Sequence, residues 1–307
     1  MISIILPARN NAVATRDCLL SLAHSLRDLN LKTELILIDD ASEPREGLIE
    51  LFQAFQMRAP EHKRIVLRAK RHLHYTGVFS VGLHLATLEN AFFLSNDMLI
   101  TPHFLLAVLA VSALSRDFGV VRGTSNYADS HPEHTVPAPD GLQTYADVLN
   151  FSKAMFEKNG LSFSQDSILS GDAILIKRAV LERVGVMDMQ FFGYFGDVDF
   201  GLRCHLAGFK LVCAKGAWLR HEGAGHLKTE AGKGIVSFAA AHEARMRLVK
   251  EAYQLFRKKW GPTLPERFDD LDITQLFSIA ESNVARIDLE YQLPASAHQA
   301  YEIIGTT

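Results

Sequence analysis

The chain has 307 residues, of which 48% are hydrophobic and 22% charged, and a formal net charge of -3. That balance excludes a disordered chain, and the absence of an overall positive field excludes non-specific nucleic-acid binding as the main task. No stretch reaches the roughly 20 apolar residues that span a bilayer, the first seven residues are too short and uncharged for a signal peptide, and Cys18, Cys204 and Cys213 lack metal-site or paired spacing, as reduced thiols of a cytosolic enzyme would.

Ile2 to Leu6 is a predicted buried strand, with Pro7-Ala8-Arg9-Asn10-Asn11 as the loop leaving it. A helix is predicted over Thr15–Arg27, and a strand over Leu35–Ile38 closed by Asp39-Asp40-Ala41-Ser42. Then come a helix over Gly47–Met57, a strand over Arg64–Leu67 and a helix over Thr76–Leu88. The apolar run Phe92-Phe93-Leu94 stops at Ser95-Asn96-Asp97, and Thr101-Pro102 offers a helix start with threonine as cap and proline at the first position. This alternation implies an α/β fold with a mainly parallel sheet covered on both faces. Its strand ends at Pro7, Asp39 and Asp97 fall on one sheet edge, where open α/β sheets bind ligands. Asp97 therefore stands where a ligand or metal-bound phosphate is expected, with a helix-capping or turn aspartate as the competing reading.

A helix over Phe104–Leu114 and a strand over Gly119–Gly123 follow. Periodicity then fades from Ser125 to Asp166 apart from a helix over Tyr145–Glu157, so this excursion lines a substrate site or merely embellishes the surface. Ala173–Ile176 returns to strand and Arg178–Val184 to helix. The aromatic-rich turn Phe191–Phe200 carries Asp197 and Asp199 into another helix, with Asp197 just before it and Asp199 in its first turn. A strand over Phe209–Cys213 precedes the histidine-rich turn Ala217–His226. The last long helix, Ile235–Trp260, buries an apolar stripe of Phe238, Ala241, Met246, Val249, Tyr253 and Phe256, with His242 within it. Its terminal Lys250, Arg257, Lys258 and Lys259 suit the helix dipole, an acidic lipid or phosphate being the alternative. The tail after Pro262 reads as short helices packed on the core.

In order and spacing these fragments resemble the family 2 inverting glycosyltransferases of the GT-A fold from residue 2 to about 260. The likeness is greatest to bacterial rhamnosyltransferase-like enzymes that decorate surface polysaccharides. The resemblance implies a nucleotide base beside Pro7, Ala8, Arg9 and Asn10, contacted by Asp39 with Asp40 nearby. It aligns a donor-side loop with His72–Gly82, in which His72, His74 and Ser80 replace asparagine, glycine and asparagine; His74 and Gly77 are the donor-side residues there. Leu94-Ser95-Asn96-Asp97 takes the place of the acidic metal motif and keeps only its last acid, so Asn96 and Asp97 face the diphosphate and Asp97 the metal. Gly171 and Asp172 correspond to the acceptor side. Asp197 corresponds to the catalytic base, although the family's usual glutamate is Gly196 here, and Asp199 orients the acceptor or Arg203. His221 falls where many members supply a metal-binding histidine; His72, His74 and His226 are weaker ligands. Without the resemblance, Asp197 and Asp199 are a helix N-terminal pair and His221 an ordinary loop residue.

The chemistry fits this assignment: inverting transfer needs a carboxylate base for the acceptor hydroxyl and positive charge on the leaving diphosphate. The implied enzyme is metal-dependent, uses Mn²⁺ or Mg²⁺ and a nucleotide-diphosphate sugar, and acts on a glycan or lipid-linked glycan. It has no nucleic-acid partner and works in the cytoplasm or against the inner face of its membrane. Residues 1–230 form the catalytic domain, with a nucleotide-sugar half of about 1–123 and an acceptor half of about 124–230, and 231–307 a helical extension. The losses at His74, Ser80, Ser95 and Gly196 motivate an inactive, partner-binding homologue as the alternative; retention of Asp39, Asp97, Asp197 and His221 opposes it. A sugar nucleotidyltransferase would want a glycine-rich basic first loop in place of Pro7-Ala8-Arg9-Asn10. A Rossmann dehydrogenase is excluded because the first strand lacks its glycine fingerprint.

Overall fold

Strands covered on both faces must be apolar on both, and the isoleucine- and leucine-rich runs accordingly form the centre of one sheet. The computed structural model describes residues 1–29, 31–55, 63–128, 132–139, 142–169, 171, 173–222 and 238–306. Strands β1 (Ile2–Ala8), β2 (Thr33–Asp39) and β3 (Lys63–Ala69) pair in parallel, and β4 (Asn90–Leu94) joins β1 in parallel on its other side. Helices α1 (Ala12–Leu29), α2 (Leu48–Ala54) and α3 (His74–Leu85) supply the crossovers. The chain thus steps outward from β1 to β3 and then returns to the opposite side of β1. Such a reversal opens a crevice beyond the carboxyl ends of the two flanking strands, here β1 and β4.

The two-residue period sorts the core onto the two faces. Ile4, Leu6, Leu35, Leu37 and Phe92 pack with α1, α2 and α4 (Pro102–Ala113). Ile5, Ile36, Ile38 and Phe93 pack with α3, α6 (Arg178–Val184) and α7 (Gly196–Leu206). The α4 start is as expected: Thr101 Oγ1 accepts the Phe104 N–H at 3.1 Å, with proline at the first turn.

Beyond β4 lie β8 (Ala173–Lys177), β6 (Phe118–Ser125) and β9 (Lys210–His221), with β5 (Met98–Leu99) and β7 (Phe163–Gln165) as short antiparallel partners of β9. β8 is antiparallel to both β4 and β6, and β6 is parallel to β9, so β1–β4, β6 and β9 all run the same way. The sheet is therefore mostly parallel in direction, as the alternation predicts. The excursion after β6 contains α5 (Tyr145–Asn159), started by a capping box between Thr144 and Asp147. All three cysteines are buried and unbridged, and burial raises their thiols above the ordinary range.

Some elements differ from the sequence expectations. β9 continues past Cys213 to His221, because after a register shift Trp218 and Leu219 pair with Thr124 and Ser125 of β6. The tail contains α9 (Leu276–Asn283) but ends in a strand, β10 (Tyr301–Thr306), antiparallel to β3. The exposed edge of β3 offers unpaired backbone groups that this last extended segment satisfies. Helix α8 (Phe238–Trp260) packs through Val249, Tyr253, Phe256 and Trp260 against Phe191, Phe195, Leu202 and Leu276, while His242 is exposed rather than part of that stripe. The division expected near residue 230 lies outside the described residues. Among those described, no helix is long and apolar enough to cross a membrane.

At the opposite end of the sheet from the crevice, Glu34 is a buried carboxylate that joins three elements. It accepts from Ser3 Oγ at 2.7 Å, the Thr87 N–H at 2.9 Å and Lys63 Nζ at 3.2 Å. Burial alone would raise its pKa, but these donors together hold it below the usual range. Its contribution is present above the ordinary glutamate value and is lost as pH falls through the depressed one. Glu34→Ala leaves these donors unsatisfied and is expected to cost about 1–3 kcal/mol. Urea unfolding at pH 7 measures the loss, and the difference from the parent protein shrinks as pH is lowered toward 3.

Candidate active site

The crevice is floored by the loops that leave β1 and β2, and these are laced together. Arg9 Nη1 donates to the carbonyls of Asp40 and Ala41 at 2.7 and 2.8 Å. The Asn10 N–H donates to Ser42 Oγ at 2.9 Å, and Asn10 Oδ1 accepts from the Glu43 N–H at 3.0 Å. The paired aspartates of the second loop have separate tasks. Asp39 is turned inward, accepting the Ser42 N–H at 2.9 Å and facing Arg68 at 3.6 Å, and it does not line the crevice. Asp40 does line it. Of the two, Asp40 rather than Asp39 faces the crevice, because successive residues leaving a strand point to opposite sides.

Asp40 accepts the Leu73 N–H at 2.6 Å and lies 3.2 Å from His72 Nε2. Burial pushes its carboxyl up to about 6, against the lowering effect of the Leu73 N–H and the Arg9 charge. The rings of His72 and His74 lie against each other with centroids 3.8 Å apart. Burial and the nearby Arg9 charge lower the pKa of His74, which favours a neutral ring. Asn10, Ala41, His74 and Phe195 all hold positive φ, at 51°, 52°, 60° and 66°. Left-handed backbone costs a non-glycine residue roughly 1–2 kcal/mol. Such strain gathers at binding sites, and these four residues belong to the loops around this one.

The carboxyl end of β4 is held against α1. Asn96 Nδ2 donates to Thr15 Oγ1 at 2.8 Å, and the Ser95 carbonyl accepts from Cys18 Sγ at 3.6 Å. The two-residue strand β5 then pairs Met98 with His221 of β9, which brings Asp97 and His221 together. Asp97 Oδ2 lies 3.5 Å from His221 Nε2, with side-chain exposures of 14% and 7%. His221 Nδ1 is 2.9 Å from the Tyr127 carbonyl, an acceptor, so Nδ1 carries the proton and Nε2 presents its lone pair. Asn126 fixes the same residue by its backbone, accepting from the His221 N–H at 2.7 Å and donating to its carbonyl at 2.9 Å. An imidazole nitrogen and a carboxylate oxygen converging in this way suit a divalent cation completed by ligand oxygens. Among the described residues no cluster of three metal-binding side chains occurs.

Opposite this pair stands the start of α7. Asp197 and Asp199 both fall in its first turn, so Asp197 is inside the helix rather than just before it. Asp197 lines the crevice, and its Oδ1 accepts the Val198 N–H at 2.9 Å. Asp199 is fully buried and accepts from Arg203 Nε at 2.9 Å and Trp260 Nε1 at 3.0 Å, with Lys259 Nζ at 2.7 Å. Arg203, also fully buried, donates onward to the carbonyls of Val184, Val186 and Leu289. Of the two alternatives for Asp199 the contact with Arg203 is present, whereas neither side chain lines the crevice as an acceptor-side residue would; together they tie α7 to α8 and the tail.

The glycines divide likewise. Gly171 lines the crevice and its carbonyl accepts from Tyr75 Oη at 2.5 Å. Gly77 is buried within α3, where a Cβ would meet Leu73 Cβ at 2.9 Å, so it serves helix packing rather than donor contact. A Cβ on Gly196 would meet Thr76 Oγ1 at 2.4 Å; the threonine fills the space a larger side chain would need. Asp172 and His226 lie outside the described residues.

Together these loops enclose a cavity of ≈ 690 Å³ that contains Pro7, Ala8, Arg9, Asn10, Asp40, His74, Asn96, Asp97, Asp197 and His221 on its walls. A volume of this order suits a nucleotide-sized ligand. Another part of its wall comes from α8 and the segment after it, including Arg245, Met246, Phe268, Leu271 and Ile273. Sequence reasoning marked Met246 only as part of an apolar stripe and missed the later residues, whose approach to Asp197 depends on the fold of the tail. Asn126 was likewise visible only as a polar residue in an irregular loop.

A family model described as glycosyltransferase-like family 2 matches residues 2–249. A search of curated proteins by sequence returned no significant match. Among solved structures, the mannosyltransferase PcManGT of Pyrobaculum calidifontis, in complex with GDP-Man and Mn²⁺, aligns over 97% of this chain and 78% of its own, at 17% identity and a TM-score of 0.53. TarS residues 1–349 of S. aureus align over 93% of this chain and 72% of their own, at 15% identity and a TM-score of 0.50. GalNAc-T7 with UDP, GalNAc and Mn²⁺ aligns over 92% of this chain but 54% of its own, at 16% identity and a TM-score of 0.55. At such identities these likenesses establish the fold, a GT-A framework. With the family match running from β1 into α8, the chain belongs to the glycosyltransferase-like family 2.

Proposed function

We propose that this protein transfers a sugar from a nucleoside-diphosphate sugar to an acceptor hydroxyl, with inversion at the anomeric carbon. The reading rests on one observation above all: Asp197 and the Asp97–His221 pair line the same crevice at the β1–β4 reversal. The nucleotide lies along Pro7–Asn10, Asp40 and the paired His72 and His74 rings, with Arg9 adding positive charge. Asp97 and His221 would hold Mn²⁺ or Mg²⁺, which when bound supplies positive charge to the diphosphate. The relatives solved with GDP-Man or UDP and with Mn²⁺ support that pairing of ligand and ion.

Asp197 acts as the base. Its place in the first turn of α7 favours the ionised carboxylate that this task requires. It takes the acceptor hydroxyl's proton as that oxygen forms its bond to the anomeric carbon, and the bond to the diphosphate breaks on the opposite face. Two observations support this choice over its neighbours: Gly196 has no side chain, and Asp199 is engaged by Arg203, Trp260 and Lys259. A glycan or lipid-linked glycan acceptor in bacterial surface-polysaccharide synthesis, met at the inner face of the cytoplasmic membrane, is the setting that the rhamnosyltransferase-like motif series supports.

Asp197→Asn is expected to retain nucleotide-sugar binding in a thermal-shift assay with Mn²⁺ while transfer falls on the order of 10²–10⁴-fold; unchanged turnover would remove Asp197 as the base. Asn126→Ala frees the backbone of His221 and should weaken Mn²⁺ binding, read by calorimetry with nucleoside diphosphate present, by about 10–100-fold. Donor affinity should fall as pH drops through about 6, where the raised Asp40 carboxyl becomes neutral and releases its hold on the 72–74 turn. An Asp40→Asn protein should show no such step when donor KM is measured between about pH 5 and 7.

A further inference from the structure

The crevice continues past Asp197 along a wall of different chemistry. Tyr194, Met246, Leu248, Phe268, Leu271 and Ile273 line it, drawn from the aromatic turn, α8 and the segment that follows. Among the described lining residues from 245 onward, Arg245 carries the one polar head, and its guanidinium lies 5.8 Å from the centre of the Tyr194 ring. Phe268 is fixed edge-on to Phe195, with centroids 5.9 Å apart, so this wall is joined to the turn that presents Asp197. The family match ends at residue 249, so Phe268, Leu271 and Ile273 lie outside the matched span.

We infer that this wall is a subsite for an apolar aglycone, and that the acceptor is a sugar carrying an alkyl or aromatic group rather than a free oligosaccharide. The inference rests on the proposed function, because the role of Asp197 fixes where the acceptor hydroxyl must lie. Whatever the acceptor sugar bears on its other side then runs out to solvent or along this wall. A further sugar ring laid there would give up water around several hydroxyls and find only the Arg245 guanidinium and the Tyr194 hydroxyl in return, an unfavourable exchange for buried polar groups. A hydrocarbon group loses nothing by leaving water and gains contact with the aromatic and aliphatic side chains.

The test is equilibrium binding, independent of turnover. Matched n-octyl and methyl glycosides of glucose, mannose, galactose and rhamnose are titrated into the full chain by calorimetry, below the micelle concentration of the octyl compounds. At about fourfold per buried methylene, even partial burial of the octyl chain gives at least a tenfold preference over methyl for one or more sugars. Ile273, 41% exposed, can be changed to aspartate with little burden on folding, and Ile273→Asp and Leu271→Asp should each erase most of that preference. Leu20→Asp, on the exposed side of α1, should preserve it. Equal affinity for octyl and methyl glycosides of every sugar, or a preference that survives both wall substitutions, overturns the inference. Turnover is scored separately: absence of any nucleotide-sugar binding or cleavage defeats the transferase reading, while the octyl-to-methyl ratio still decides the apolar subsite.

Discussion

A parallel sheet cannot change direction of growth without parting the loops on either side of the strand where it turns. Here β1 is that strand, flanked by β2 and β4, and the loops after β1 and β4 are forced apart. The separation is what makes a crevice, and the register of β1 with β4, Ile4 beside Phe92 and Ile5 beside Phe93, sets how far each loop reaches into it. Pro7–Asn10 and Asn96–Asp97 follow directly from those two strand ends. The minimal β5–β9 ladder extends the arrangement by carrying His221 from a strand distant in the sheet to the residue after β4.

A second constraint ties α7, the helix that carries Asp197, to the rest of the chain. α7 enters through Phe195, in left-handed backbone with no side-chain cap, and so lacks an ordinary helix start. The buried cluster of Asp199, Arg203, Lys259 and Trp260 compensates by fastening its first turns to α8 and to the carbonyls of residues 184, 186 and 289. Removing one partner of such a cluster leaves a buried charge uncompensated, which is far more damaging than losing a surface pair. The tail is therefore mechanically continuous with α7, whatever boundary is drawn between them.

The order of strands and helices was legible because most elements are strongly periodic: Ile2–Leu6 and Leu35–Ile38 are apolar on both faces, and Thr101-Pro102 is an unambiguous helix start. Tyr301–Thr306 was not legible as a strand, since an edge strand needs apolar residues on neither face in particular and its partner, β3, is more than two hundred residues away. At the site, the acids Asp97 and Asp197 were found from motif order. The distinction between Asp39 and Asp40 was not, because adjacent carboxylates look alike in a sequence and differ only in which way the strand end turns them. Whether Asp199 faces the acceptor or Arg203 was left open for a similar reason: an i,i+4 pair on a helix is equally suited to a surface or an interior. Only the packing of Trp260 and Lys259 against it reveals which.

The contact between Gly196 and Thr76 bears on how this sequence can change. The motif series that the sequence resembles would put an acid at position 196, yet here an ideal Cβ would lie 2.4 Å from the threonine hydroxyl and 2.7 Å from its methyl group. A single substitution that installs an acid there would therefore press on α3 before its carboxylate could contribute anything. Room for it has to be made at position 76 first, by trimming threonine to a smaller residue. The two positions form an ordered pair of mutational steps, coupled by a contact between two helices.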